Sequence, residues 1–322
     1  MKLAVAFLCY NDSSAPYLPE FLKSLEAALI RLDAEIFVFA GDNSDRAPFV
    51  NQELLFRHNL KASFPIKLLA FDKNLGFAAA YNRLIIAAKG VGADYFLMIN
   101  PDMLLTENMI ARLLSVLAKR TDLAAVCPKI YRWDFRGKRL TKIIDSCGIG
   151  LAPGLRFYDL GQGKEDKGQY DRTEIIGPSG AAALFRISSL EKVTVDGKYF
   201  DERFFMYKED CDLAYRLFRA GQKTVLVPDA IAYHDRSSAG QENLWQTWRH
   251  WQKRSRLTRS WSFANQNLIF VKYFHFESYF SRFLIVVKVI FMGLFSLIFA
   301  PFLLKTYFKF WGINRSINRS ID

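Results

Sequence analysis

Tyr95-Phe96-Leu97-Met98-Ile99-Asn100-Pro101-Asp102 is the stretch whose reading decides the fold. Five apolar residues run without alternation, as in a strand covered on both faces by helices. Asn100-Pro101 then stops the strand, because proline has no N–H for the ladder. Asp102 therefore lies at the carboxyl edge of a sheet, where open α/β sheets bind their ligands. An Asp after Asn-Pro is also ordinary turn chemistry, so the reading depends on what surrounds it.

Working outward, the chain alternates strands and helices. Residues 3–10 form an apolar run, and residues 17–32 carry helical spacing through Leu18, Phe21, Leu22, Leu25 and Leu29. Residues 35–40 are a second strand, emptying into Gly41-Asp42-Asn43-Ser44. A strand at 66–71, a helix at 77–89, a helix at 106–119 and a strand at 124–130 follow. This order predicts an α/β fold with a mostly parallel sheet and helices on both faces. After the first strand the chain reads Tyr10-Asn11-Asp12-Ser13-Ser14, without the glycine fingerprint of a dinucleotide-binding dehydrogenase. Residues 132–177 read as irregular, with eight glycines and many charges, the composition of loops that cover an active edge. Regular pattern returns as a strand at 181–186, a helix at 209–220, and strands at 224–227 and 230–233.

The helix at 209 begins with Glu209, Asp210 and Asp212, carries Arg216 and Arg219 near its end, and meets Gly221. Dipole complementarity and capping account for that distribution without any chemistry. His234, one of four histidines, ends an apolar run after Pro228-Asp229, and a histidine at a strand end is by itself structurally ordinary. The companion motifs are what give these groups weight.

The 322 residues are 51% apolar and carry a net charge of +12, unevenly spread. Residues 241–322 hold twelve Lys and Arg against Glu242, Glu277 and Asp322, a net +9, which leaves +3 for the rest. A nearly neutral body argues against a nucleic-acid partner. Cys9, Cys127, Cys147 and Cys211 are scattered without metal-like pairing and read as free thiols of a reducing compartment. Met1 leads quickly into a strand pattern broken by Asn11-Asp12, so no secretory leader is expected.

The basic tail interleaves Trp245, Trp248, Trp251 and Trp261 with Arg249, Lys253, Arg254, Arg256 and Arg259. Residues 283–304 follow, 22 residues with Lys288 as their single charge. As a helix this segment measures about 33 Å, enough to cross a bilayer. Both flanks are basic, Lys288 lies near its start and Pro301 near its end, so a helix embedded in one leaflet is favoured over a simple span. The division expected is a body at 1–240 and a basic, aromatic, helical region at 241–322.

Seven stretches, in order, resemble glycosyltransferase family 2, in its rhamnosyltransferase-like branch of bacterial surface-polysaccharide enzymes. They are Phe7-Leu8-Cys9-Tyr10-Asn11, Gly41-Asp42-Asn43-Ser44, residues 74–82, Asn100-Pro101-Asp102, and residues 177–186, 200–210 and 227–234. The resemblance covers roughly residues 2–240 and implies a GT-A fold and sugar transfer from a nucleotide-diphosphate donor. It implies that Asp42 holds the donor's pyrimidine or ribose, and that Tyr10, Asn11, Asn74, Gly76, Asn82 and Asn100 lie along the donor site. Asp102 matches the metal carboxylate of the family's D-x-D, whose first Asp is here Asn100. His234 then matches a second ligand for Mn²⁺ or Mg²⁺, with imidazole tilting the choice towards Mn²⁺. Asp210 matches the catalytic base, with Glu209 beside it, and one base opposite a leaving diphosphate implies inversion. The partners implied are a dTDP- or UDP-linked sugar and a lipid-linked saccharide acceptor; the basic, apolar tail adds anionic lipids at the cytoplasmic face of the membrane, the protein being expected as peripheral or monotopic. Rhamnose is the first expectation. A UDP-hexose or galactofuranose transferase, or a silent nucleotide-sugar-binding subunit, are the alternatives.

Overall fold

The computed structural model describes residues 1–235, 252 and 255–306. Trp245, Trp248, Trp251, Arg249, Lys253, Arg254, Lys309, Arg315 and Arg319 lie outside them. The chain divides into two compact units. The first comprises Met1–Gly150, Tyr158–Phe205 and the chain from Glu209; the second comprises Leu151–Phe157, Met206–Lys208 and the chain from Glu242. The second unit thus also draws in two short pieces that precede residue 240.

The strands are β1 (Lys2–Cys9), β2 (Glu35–Asp42), β3 (Ile66–Ala70), β4 (Tyr95–Ile99), β5 (Met103–Leu105), β6 (Leu123–Asp134), β7 (Arg139–Ser146), β8 (Ile149–Ala152), β9 (Arg156–Asp159), β10 (Ala182–Arg186) and β11 (Lys223–His234). The main helices of the first unit are α1 (Asn11–Ser14), α2 (Leu18–Leu29), α3 (Val50–Asn59), α4 (Gly76–Gly90), α5 (Met109–Lys119), α6 (Ile187–Glu191) and α7 (Glu209–Arg219). The sheet order is β3-β2-β1-β4-β10-β6-β11-β5, with β7 paired to the far half of β6. From β3 to β4 the strands are parallel, β10 runs antiparallel between β4 and β6, and β11 is again parallel to β6. The sheet is therefore mixed, because an apolar run has no sign and its direction is set by the connection that precedes it.

Both faces of the sheet are covered, which explains the unbroken apolar runs. Leu97 and Ile99 join Leu3, Val5 and Phe7 in a core with the apolar stripes of α2 and α5. Phe96 and Met98 join Ala4 and Ala6 in a second core with Tyr81, Leu84 and Ile85 of α4 and Leu213 and Leu217 of α7. Successive side chains point to opposite faces, so each face takes alternate residues. Truncating a side chain as fully enclosed as Leu97 to alanine costs about 2–5 kcal/mol.

Two expectations need correction. The segment 132–177 is not loop throughout: it holds β7, and β8 and β9 pair with each other. Glycines concealed the pattern by allowing turns such as that at Gly148, where φ is +99°. The apolar runs on either side of Pro228-Asp229 are a single strand, β11, whose register shifts between Val227 and Ile231. Proline cannot donate to the ladder, so the strand bulges there.

In the second unit, α8 (Arg256–Tyr273) starts at Ser255, whose hydroxyl accepts the N–H of Thr258. After a short 3₁₀ turn at Phe274–Phe276, α9 (Tyr279–Phe299) starts at Ser278, which accepts the N–H of Ser281. The apolar segment thus begins four residues earlier than the composition suggests and ends before Pro301. Ser281, Ile285 and Ser296 of α9 are buried, and Ala300 and Leu303 pack on Phe263 of α8. Asn265 of α8 donates from Nδ2 to the carbonyls of Met206 (2.8 Å) and Tyr207 (2.7 Å). Tyr207 and Lys208 sit at φ of +73° and +72°, conformations that bulky residues hold only when surroundings impose them.

Candidate active site

Strand direction brings the candidate residues together. β1, β2 and β4 are parallel, so Tyr10-Asn11, Asp42-Asn43-Ser44 and Asn100-Pro101-Asp102 all leave the sheet at one edge. β10 is reversed, so it begins at that edge, and the Asn100 N–H donates to Ala181 O (2.9 Å) just ahead of it. A second reversal restores the direction in β6 and β11, which returns the end of β11, and with it His234, to the same edge. His234 lies opposite Met103 in the antiparallel pairing with β5, and the Asp235 N–H donates to Asp102 O (3.1 Å).

At that junction His234 Nε2 is 3.3 Å from Asp102 Oδ1. The Asp102 oxygen is buried yet outside hydrogen-bond geometry with any donor. The other ring nitrogen, Nδ1, is 2.8 Å from Oδ2 of Asp145, a carboxylate only 1% exposed. An imidazole oriented by one carboxylate and facing another oxygen is the arrangement of a metal-ligating histidine with its outer partner. Burial alone lowers the His234 pKa, but the Asp102 and Asp145 carboxylates outweigh it and raise it to about 10. The metal-free ring is thus an imidazolium at neutral pH, and a cation must displace its proton. Among the described residues no group of three or more His, Cys, Asp or Glu could hold a metal. Asp102 and His234 would offer a divalent cation one oxygen and one nitrogen, a donor pair whose chemistry suits such an ion.

Asp210 opens α7 and ties two elements together. Its Oδ1 accepts the Cys211 N–H (2.7 Å) and its Oδ2 the Gly180 N–H (3.0 Å) at the start of β10. A Cβ on Gly180 would lie 3.2 Å from that oxygen, a tight contact that would need Asp210 to shift by a few tenths of an ångström. Each oxygen keeps a second lone pair, so the carboxylate is held in place and still able to accept a proton. Glu209 is buried beside it. Asp212 serves the fold instead. It is fully buried and pairs with Arg216 (2.9 Å), which also donates to the carbonyls of Tyr199 (2.8 Å) and Val193. Arg219 and Gly221 close the helix, Gly221 at φ +67°.

The expected donor residues divide into two sorts. Asp42 is 1% exposed; Oδ1 accepts from Ser44 N and Oγ (3.1 and 2.6 Å) and Oδ2 from Gln52 Nε2 (2.8 Å). Asn11 donates its N–H to Ser44 Oγ (2.8 Å) and exchanges side-chain bonds with Asp45, while the Tyr10 N–H donates to Ser14 Oγ (3.0 Å). These residues knit the ends of β1 and β2 into one surface. Asn74 and Gly76 belong to a turn that Asn43 holds, its Nδ2 donating to Gly76 O (2.9 Å) and its Oδ1 accepting the Leu75 N–H (3.2 Å), while Asn82 serves the loop at 200–205. Asn74 accepts the Gly76 N–H (2.9 Å), Gly76 has φ +76°, and a Cβ there would stand 2.3 Å from Phe205 O. Asn82 is buried, exchanging bonds with the N–H and carbonyl of Phe200 (both 2.8 Å) and donating to Glu202 (3.1 Å). Its amide is engaged by that loop, which leads towards Asp210.

The sequence reading missed Asp145. Its signal was the alternation and β-branching of Thr141, Ile143 and Ile144 ahead of it, a strand pattern hidden among charges and glycines.

A family model described as Glycosyl transferase family 2 matches residues 5–194. The N-acetylglucosaminyl-diphospho-decaprenol L-rhamnosyltransferase of Mycobacterium tuberculosis is 27% identical over 248 residues, covering 71% of this chain and 76% of that protein. Among solved structures, S. aureus TarS 1-349 matches with a TM-score of 0.50 and 15% identity, over 78% of this chain and 64% of that one. This chain therefore spans just under two thirds of TarS 1-349. The mannosyltransferase PcManGT from Pyrobaculum calidifontis, in complex with GDP-Man and Mn²⁺, matches with a TM-score of 0.52 and 16% identity, over 94% of this chain and 72% of that one. These likenesses show the GT-A fold, a mixed sheet with helices on both faces. With the family model covering more than half of its length, the chain belongs to glycosyl transferase family 2 and is a glycosyltransferase.

Proposed function

We propose that this chain transfers a sugar, rhamnose first, from a nucleotide-diphosphate donor to a lipid-linked saccharide in cell-surface polysaccharide synthesis. The reaction inverts the anomeric centre and takes place at the cytoplasmic face of the membrane. The observation that carries the reading is the Asp102–His234–Asp145 arrangement at the carboxyl edge of the sheet. Support for the sugar and acceptor comes from the mycobacterial relative, whose name states both.

Asp102 and His234 are the residues that would hold a divalent cation, Mn²⁺ before Mg²⁺. When bound, the cation neutralises charge growing on the departing diphosphate, which can be worth several kcal/mol. Asp145 keeps the His234 ring turned towards Asp102. Asp210, held by two backbone N–H groups, takes the proton from the acceptor hydroxyl, with Glu209 beside it. Asp42 offers a carboxylate oxygen to the N3–H shared by uracil and thymine, so either nucleotide suits it. Tyr10, Asn11 and Asn100 complete the donor-side surface, while Asn74 and Gly76 act through the turn held by Asn43 and Asn82 through the loop at 200–205.

The test is a donor panel: dTDP-rhamnose, UDP-hexoses, UDP-galactofuranose and GDP-mannose, each with a polyprenyl-diphosphate-linked saccharide and Mn²⁺. Transfer from dTDP-rhamnose with inverted anomeric configuration, abolished by EDTA and restored by Mn²⁺, is the expected result. Turnover restricted to a UDP donor replaces the rhamnosyl assignment, and EDTA-resistant turnover removes the cation.

A further inference from the structure

Helix α9 is the one helix among the described residues long and apolar enough to cross a membrane. Its surroundings within the second unit say otherwise. One side presents Phe283, Val287, Ile290, Phe291, Leu294 and Ile298, all at least partly exposed and at steps of three and four residues. The middle of this stripe is bare: Ile290 is 58% and Phe291 69% exposed. A buried core helix shows no such face.

The opposite side of the same helix is engaged with polar chain. Gly154 donates its N–H to Ser281 Oγ (2.7 Å) and accepts from Lys288 Nζ (2.6 Å). Lys288 stands nine residues into α9, about 14 Å along its axis, which for a spanning helix is the middle of the hydrocarbon. Burial first, and then the neighbouring cations Arg156 and Lys208, lower the Lys288 pKa. Further along, Arg256 and Arg259 of α8 place their guanidinium groups 5.6 and 5.0 Å from the Phe302 ring centre. A helix crossing the bilayer would drag the backbone of 153–154 and Lys288 to hydrocarbon depth, where unsatisfied polar groups and charges are strongly disfavoured.

We propose that α9 lies in the plane of a single leaflet, its Phe283–Ile298 stripe sunk into the acyl boundary and the cations of the same unit against anionic lipid headgroups. The occupant is an anionic bilayer, selected by the net +9 of residues 241–322 together with an unbroken apolar face. The inference is independent of which sugar is transferred.

The experiment uses the full chain. Its four native cysteines are buried, so F283C, I290C and L297C variants, each carrying a spin label, report depth in vesicles of equal parts phosphatidylcholine and phosphatidylglycerol. An in-plane helix places all three labels at nearly one depth, about 5–10 Å below the headgroup boundary. A spanning helix places Ile290 near the midplane and the other two about 10 Å to either side, which overturns the proposal. Labels left in water also overturn it. The anionic vesicles should bind at least tenfold more tightly than phosphatidylcholine alone. Phe291→Glu, at an exposed position that leaves the fold intact, should lower that binding at least tenfold, and equal binding by the variant refutes the stripe as the contact face.

Discussion

Replacing Asp210 with asparagine separates a proton acceptor from a helix cap. On local sequence the change is mild, since Asn begins helices as well as Asp. The structure gives a larger cost. Both oxygens of Asp210 are in use, one on Cys211 N (2.7 Å) and the other on Gly180 N (3.0 Å), and asparagine has only one oxygen to offer. One backbone N–H then faces an amide NH₂, at a cost of about 1–3 kcal/mol. For a chain of this size each kcal/mol lowers Tm by about 1.5 °C. The loss of a general base costs about 10²- to 10⁴-fold in rate, which is about 2.7–5.4 kcal/mol of barrier. Melting temperature, donor affinity by calorimetry and turnover should be measured on one preparation, well below the variant's Tm. The expected outcome is a folded protein with near-normal donor affinity and turnover reduced at least a hundredfold. If the folded variant turns over within threefold of the native chain, Asp210 is a structural residue and the mechanism is wrong.

Asp145→Asn removes the carboxylate that orients His234, so Mn²⁺ affinity should fall about 10- to 100-fold; titration followed by the Mn²⁺ spin signal reads this directly, and excess Mn²⁺ should restore turnover. Gly76→Ala forces a Cβ to within 2.3 Å of Phe205 O at a φ of +76°, and urea unfolding should show a loss of about 2 kcal/mol or more. In metal-free protein, the ion pairs of His234 raise its folded pKa from 6.5 to about 10. That stabilisation is complete below pH 6.5 and disappears as pH rises through about 10, so the urea midpoint should decline over this window in the native chain and stay flatter in His234→Gln.

Much of the site was legible because each residue ends a run whose character is plain. Asp42, Asp102 and His234 follow apolar stretches that could only be strands, and a strand end is a place. What could not be read was direction. Nothing in Ala182–Arg186 marks it as antiparallel, yet that reversal puts Gly180 within reach of Asp210. Asp145 was missed because its strand is short on apolar residues until Ile143-Ile144, its outer part being exposed. The motif at 74–82 gave Asn82 and Gly76 a place but not their partners within the fold, which are Phe200 for the one and Asn43 and Phe205 for the other.

The two hydrogen bonds from Asn265 to the backbone of Met206 and Tyr207 bear on how the chain can be shortened. Residues 206–208 run directly into Glu209 and Asp210, and they hold two consecutive left-handed conformations that relax once nothing enforces them. Cutting the chain ahead of α8 would remove the exposed apolar stripe of α9 and the fastening of that turn in one stroke. Shortened protein assayed on a water-soluble acceptor would then be slow for a reason unrelated to lost membrane contact. Charging the outer stripe of α9 while leaving α8 whole is the route that separates solubility from activity.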